Sequence, residues 1–186
     1  MFTFRSIPIF TVMALTAFAA DAPVPSPPLE ILRPNAPPIT LQQYRGKVVV
    51  LALILTTCSH CQQFTGVLNA VSREYSPRGV QFLECAFNPD AQATLPEFVQ
   101  RFQPNFPVGY TSQVAINAYL HRSVLTTRPL YVPHLVVLDR AGWIRADYPG
   151  EDAFFRNPEA GLRALLDNLL RPASPAKATS ARPSHR

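Results

Sequence analysis

Residues 47–61 read Lys47-Val48-Val49-Val50-Leu51-Ala52-Leu53-Ile54-Leu55-Thr56-Thr57-Cys58-Ser59-His60-Cys61. The unbroken apolar run from Val48 to Leu55, with a β-branched start, predicts a strand buried on both faces. A C-x-x-C pair follows directly. Beyond it Phe64, Val67, Leu68, Val71 and Tyr75 recur at helical intervals, so the pair stands where a central strand turns into an amphipathic helix, with Cys58 at the helix N-terminal end. Ser76-Pro77-Arg78-Gly79 ends that helix.

The alternation continues downstream. Val80 to Phe87, interrupted by Glu84, predicts a second buried strand closed by Asn88-Pro89-Asp90. Thr94 and Glu97 form a capping-box pair with Pro96 in the first turn, which predicts a helix carrying Leu95, Phe98, Val99 and Phe102. Phe106 to Tyr110 is a short strand, and a third helix starts near Thr111 or Ser112 and runs to Leu120. Pro133 introduces His134 to Leu138, and Asp139-Arg140-Ala141-Gly142 turns the chain into Trp143 to Asp147, an antiparallel hairpin. Asn157 and Pro158 open a closing helix with Leu162, Leu165, Leu166, Leu169 and Leu170. Parallel crossovers followed by a terminal hairpin imply an α/β fold with a mixed sheet covered by helices on both faces.

The ends read differently. Residues 1–19 carry one early positive charge, Arg5, a short apolar stretch, and small residues before a cleavage point after Ala19, the layout of a secretory signal peptide. The stretch is short for a membrane span, so membrane contact is expected only if it stays uncleaved. Residues 20–38 hold the seven prolines of Pro23 to Pro38 and read as an extended Pro-rich linker. The globular domain is expected over residues 39–171. Residues 172–186, rich in Pro, Ala, Ser and basic residues, read as a disordered basic tail. A length of 186 residues with 47% hydrophobic content suits one such domain. The net charge is +5, but the Lys and Arg residues are scattered, and several sit in the tails rather than on one periodic face, which is no nucleic-acid footprint.

The three cysteines are Cys58, Cys61 and Cys85. A bridge between residues three apart constrains an unfolded chain little, so the pair suits redox chemistry better than a structural disulfide. Exchange needs one attacking thiolate and one resolving thiol. Cys58 faces the free N–H groups and positive end of the helix, which favour the thiolate; Cys61, one turn later, resolves. His60 is either a further donor to that thiolate or an exposed turn residue. Glu84 is either a buried carboxyl that shuttles a proton to or from Cys61, or a strand-end residue in solvent. Cys85 reads as a small buried apolar residue. Structural zinc lacks a second cysteine pair, while copper held by Cys58, Cys61 and His134 is a conceivable rival. No cofactor beyond a Cys58–Cys61 disulfide is expected.

Ile39-Thr40-Leu41, then Tyr44-Arg45-Gly46-Lys47-Val48-Val49-Val50 and the cysteine pair, resembles the opening of the TlpA/ResA-like thioredoxin family, and the likeness spans about residues 36 to 170. Val132-Pro133 followed by Leu135-Val136-Val137-Leu138-Asp139 and Gly142 resembles that family's cis-proline and next strand. The resemblance implies a thioredoxin-like fold, a Pro133 loop that helps hold a substrate backbone beside the cysteines with Val132 before it, and an exported, periplasmic thiol-disulfide oxidoreductase. Its partners would be protein thiols and disulfides and an upstream reductant or oxidant protein. Thr57 replaces the tryptophan common before the first cysteine, and Ser59-His60 replaces the usual proline-containing dipeptide. The chain is also similar to peroxiredoxins, but Leu51 and Leu55 occupy their proline and threonine positions, so a peroxidase is the weaker reading. A metal-binding or delivery module on the same fold is the alternative of another class.

Overall fold

The apolar run at residue 48 becomes an inner strand of a seven-stranded sheet. The computed structural model describes residues 24–123 and 129–172. In chain order its strands are β1 (Glu30–Arg33), β2 (Ala36–Thr40), β3 (Val48–Ile54), β4 (Val80–Ala86), β5 (Val108–Tyr110), β6 (His134–Leu138) and β7 (Ile144–Tyr148). The α-helices are α1 (Ser59–Tyr75), α2 (Ala91–Phe102), α3 (Gln113–Tyr119) and α4 (Pro158–Leu170). The expected signal peptide and nearly all of the expected basic tail lie outside the described residues.

The sheet order is β2-β1-β5-β4-β3-β6-β7. β3 pairs in parallel with β4 and antiparallel with β6, and β4 pairs in parallel with β5. Each parallel pair is joined through a helix, as parallel strands require. Alternating side chains send Val48, Val50, Ala52 and Ile54 into a core with α1, α2 and α4, while Val49, Leu51 and Leu53 enter a second core with α3 and the N-terminal segment. All seven residues of β3 are buried, as expected for a strand covered on both faces. The mixed sheet with helices on both faces matches the predicted class, and β6 and β7 form the predicted antiparallel hairpin.

Two expectations need correction. Residues 20–38 are not simply an extended linker: within them β1 and most of β2 form a hairpin at one edge of the sheet, with Leu29, Ile31 and Ile39 buried. Pro34-Asn35 makes the turn, with Asn35 at φ 59°, the left-handed position that asparagine tolerates. Before the hairpin, Pro25 bridges to Trp143, and the Ile144 N–H donates to the Val24 carbonyl at 2.8 Å. The globular unit therefore reaches back to residue 24. The second correction concerns α2, which begins at Ala91 with Asp90 as N-cap, leaving Pro96 inside the helix. The turn at Asn88-Pro89-Asp90 starts the helix itself, because the Ala91 N–H already reaches the Asn88 carbonyl at 2.9 Å.

Candidate redox site at the start of helix α1

Between the end of β3 and the start of α1 the chain makes one tight turn, in which the Cys58 N–H donates to the Leu55 carbonyl at 3.0 Å. Cys58 has extended dihedrals (φ −80°, ψ 118°) and is the N-cap of α1; its Sγ accepts the Cys61 N–H at 3.4 Å. A sulfur thus takes the role that a serine or aspartate oxygen commonly fills, receiving an otherwise orphaned helix donor at the positive end of the dipole. Cys58 is half-buried, Cys61 fully buried, and both are free thiols. Burial, reinforced by the neighbouring Cys58 sulfur and the Glu84 carboxyl, pushes the Cys61 thiol well above its ordinary range, against a backbone hydrogen bond from Leu55. A half-buried sulfur and a fully buried one thus stand one helical turn apart.

Glu84 lies on β4 beneath α1 and is completely buried, so of its two readings the structure has the internal one. Burial raises its carboxyl to about 8, opposed by the Thr65 hydroxyl that donates to Oε1 at 2.8 Å. Oε2 has no hydrogen-bond partner among the described residues. Thr65 Oγ1 also lies 3.1 Å from the Cys61 carbonyl. A hydroxyl has one hydrogen, so Thr65 donates either to the ionised Glu84 carboxylate or to the Cys61 carbonyl, and the choice follows the charge on Glu84. Desolvation favours the neutral carboxyl and the Thr65 donor favours the ionised one, and desolvation is the larger of the two.

The other expected residues separate into two groups. The Val132–Pro133 peptide bond is cis, and both residues line a cavity of about 500 Å³ with His60, Phe64, Val67 and Phe155. His60 is exposed at its mouth. Cys85 and His134 fall elsewhere: Cys85 joins the core on the opposite face of the sheet from Cys61. His134 sits at the β3 register of Leu53, whose side chain enters that same opposite core. It is paired there with Asp147. The Cys58, Cys61 and His134 copper set is therefore not assembled, and among the described residues no group of three or more His, Cys, Asp or Glu could hold a metal.

Sequence reasoning missed two contributors. The β7–α4 loop lends Glu151, Asp152, Phe155 and Arg156 to the cavity wall, signalled only by an aromatic pair, Phe154-Phe155, in an otherwise charged stretch. The Phe155 ring meets Phe64 edge-on at 5.3 Å, which fixes that wall against α1. The second is a side-chain network from the β4–α2 turn. Asn88 Oδ1 accepts the Thr56 N–H at 3.0 Å, and Asn88 Nδ2 donates to Thr56 Oγ1 at 2.9 Å. Gln62 Nε2 donates to the Thr56 carbonyl at 2.9 Å.

Known proteins share this fold. The family described as Redoxin matches residues 19–162. No curated protein matches the chain. Among solved structures, a thiol:disulfide interchange protein of the thioredoxin family from Chlorobium tepidum TLS is 18% identical, with 82% of this chain and 100% of that chain covered and a TM-score of 0.66. A thiol:disulfide interchange protein from a Bacteroides species is 14% identical over 86% of this chain and 97% of its own, with a TM-score of 0.63. A thioredoxin-like superfamily protein is 24% identical over 82% and 99%, with a TM-score of 0.62. At these identities the likeness is one of fold. The chain belongs to the Redoxin family: it has the thioredoxin-like fold of thiol:disulfide interchange proteins, with a C-x-x-C pair at its strand-to-helix turn.

Proposed function

We propose that this protein is an extracytoplasmic thiol-disulfide oxidoreductase that exchanges disulfides with exported proteins. The observation that carries the reading is the Cys58 sulfur seated as the N-cap of α1, 3.4 Å from the Cys61 N–H, with the Cys61 side chain buried behind it. The Cys58 thiolate attacks one sulfur of a partner disulfide, forming a mixed disulfide and releasing the partner's other sulfur as a thiolate that takes up a proton. Cys61 then gives its proton to Glu84 in its ionised form, the main form above about pH 8, and attacks Cys58 Sγ; the Cys58–Cys61 disulfide forms, and the partner's second sulfur leaves as a thiolate that takes up a proton, so the partner departs as a dithiol. Two electrons pass to the partner, and an upstream reductant protein returns them. Run backwards, the same steps oxidise a partner.

The cavity between the first turns of α1 and the Val132–Pro133 bond suits an extended partner segment. Val132, Pro133, Phe64, Val67 and Phe155 form its apolar wall, and Glu151 and Asp152 add charge at its margin. Pro133 has no N–H to compete for the partner's carbonyls, and His60 at the mouth adds a donor. The N-terminal signal pattern supports an exported location, tested by fractionating cells that express the full chain. Insulin disulfide reduction tests the activity: Cys58→Ser is expected to abolish it, and a native rate in that variant overturns the reading. Cys61→Ser is expected to hold partners as mixed disulfides, which identifies them.

A further inference from the structure

Thr56 occupies the turn between β3 and Cys58, and all its polar groups are tied down. Its N–H and hydroxyl both go to Asn88, and its carbonyl goes to Gln62. The hydroxyl also lies 2.8 Å from Thr94 Oγ1, and Thr94 Oγ1 lies 3.1 Å from the Asp90 carbonyl. Hydrogen counting orients the chain. The Asp90 carbonyl can only accept, so Thr94 donates to it; Thr56 then donates to Thr94, which leaves Thr56 Oγ1 as acceptor for Asn88. The second Asn88 hydrogen goes to Asp90 Oδ1 at 2.7 Å. Every donor has an acceptor, Asn88 Nδ2 also lying 3.3 Å from Thr94 Oγ1, in a pocket where Thr56 and Asn88 are both buried, and such fully satisfied networks are stiff.

From this geometry we propose that Asn88 is a positioning residue for Cys58. It grips both sides of Thr56, one residue before the Thr57–Cys58 link, and so sets the turn that places Cys58 Sγ over the first N–H groups of α1. No other residue type of similar size both accepts from an N–H and donates two hydrogens. Aspartate at this position would keep the acceptor but offer no donor to Thr56, and would face the Asp90 carboxylate. The inference rests on the exchange reading only in naming Cys58 as the nucleophile; the placement of its sulfur is measurable on its own.

The test is the alkylation rate of Cys58 by iodoacetamide in the reduced full-length chain, located by mass spectrometry, together with the glutathione redox equilibrium of the Cys58–Cys61 pair. Losing a cap interaction is worth about a factor of five, so Asn88→Ala and Asn88→Asp are both expected to alkylate roughly fivefold more slowly and to shift the equilibrium. Thr94→Val, which removes only the far end of the network, is expected to shift both in the same direction by less. The control is Asn69→Ala, on α1 itself, which loses amide bonds of the same kind to the Asn105 N–H and the Phe102 carbonyl; its thiol is expected to react as in the wild type. Wild-type alkylation in Asn88→Ala, or in Thr94→Val should the first not fold, overturns the proposal, as does an equal slowing in Asn69→Ala. Failure of insulin reduction by the wild type would sink the exchange reading and leave the alkylation result standing.

Discussion

The two faces of the sheet each hold a buried cysteine, and only one of them is built for chemistry. On the α1 face Cys61 lies within reach of a second thiol, a threonine hydroxyl and a buried carboxyl. On the other face Cys85 is equally buried, and burial alone pushes its thiol up; its sulfur makes only a weak contact with the Ala86 carbonyl at 3.9 Å. β4 itself produces the contrast, because neighbouring residues Glu84 and Cys85 point to opposite sides. Residue type does not make a redox site here; the set of partners gathered around the sulfur does.

The comparison can be broken or sharpened by substitution. The largest effect is expected from Cys58→Ser, which should leave less than about one-thousandth of the exchange rate, while Cys85→Ala keeps it; a rate loss in Cys85→Ala would erase the distinction between the faces. Next comes Ile31→Ala, on the face without chemistry, where deleting a fully buried side chain should cost about 2–5 kcal/mol in urea unfolding with no change in Cys58 alkylation. A cost near zero would mean that the N-terminal hairpin is not part of the domain.

A smaller effect, specific in pH, is expected at Glu84. Its carboxyl is raised from an ordinary 4.5 to about 8, so between those values the folded chain keeps a proton that the unfolded chain releases. The stabilisation is complete below the lower value and is lost as pH rises to the upper one, with a slope of at most about 1.4 kcal/mol per pH unit. Glu84→Gln, which cannot ionise, should flatten that part of the stability curve and lengthen the life of mixed disulfides. An unchanged slope would show that the carboxyl titrates normally. The smallest effect is that of Cys85→Ala on stability, about 1 kcal/mol for one small buried group.

Much of this was legible in the residues. The run Val48 to Leu55, the periodic Phe64 to Tyr75 and the Asp139 to Gly142 turn each carry a local signal strong enough to place β3, α1 and the β6–β7 hairpin. The cysteine pair was legible from its spacing at a strand-to-helix turn, and the cis Pro133 from the resemblance of Val132-Pro133 and the strand after it to the thioredoxin family. The β1–β2 hairpin was not, since only Leu29, Ile31 and Ile39 bury, and prolines around them mask an edge strand, where proline is tolerated. At α2 two caps competed: Thr94 looked like an N-cap but spends its hydroxyl on Asp90 and Thr56. The role of Asn88 was invisible for another reason, because its partner Thr56 lies 32 residues earlier and no local pattern links them.

The segment that runs from Val24 into β1 contacts the turn before β7 at one margin of the sheet and supplies the strands of the other. One stretch of chain thus guards both borders against edge-to-edge association. It is also made first and seated late, because Pro25 must wait for Trp143 and Leu32 for Tyr110. Contacts so distant along the chain delay closure. A polypeptide emerging from the ribosome cannot complete this domain until Trp143, more than two-thirds of the way along it, has been synthesised.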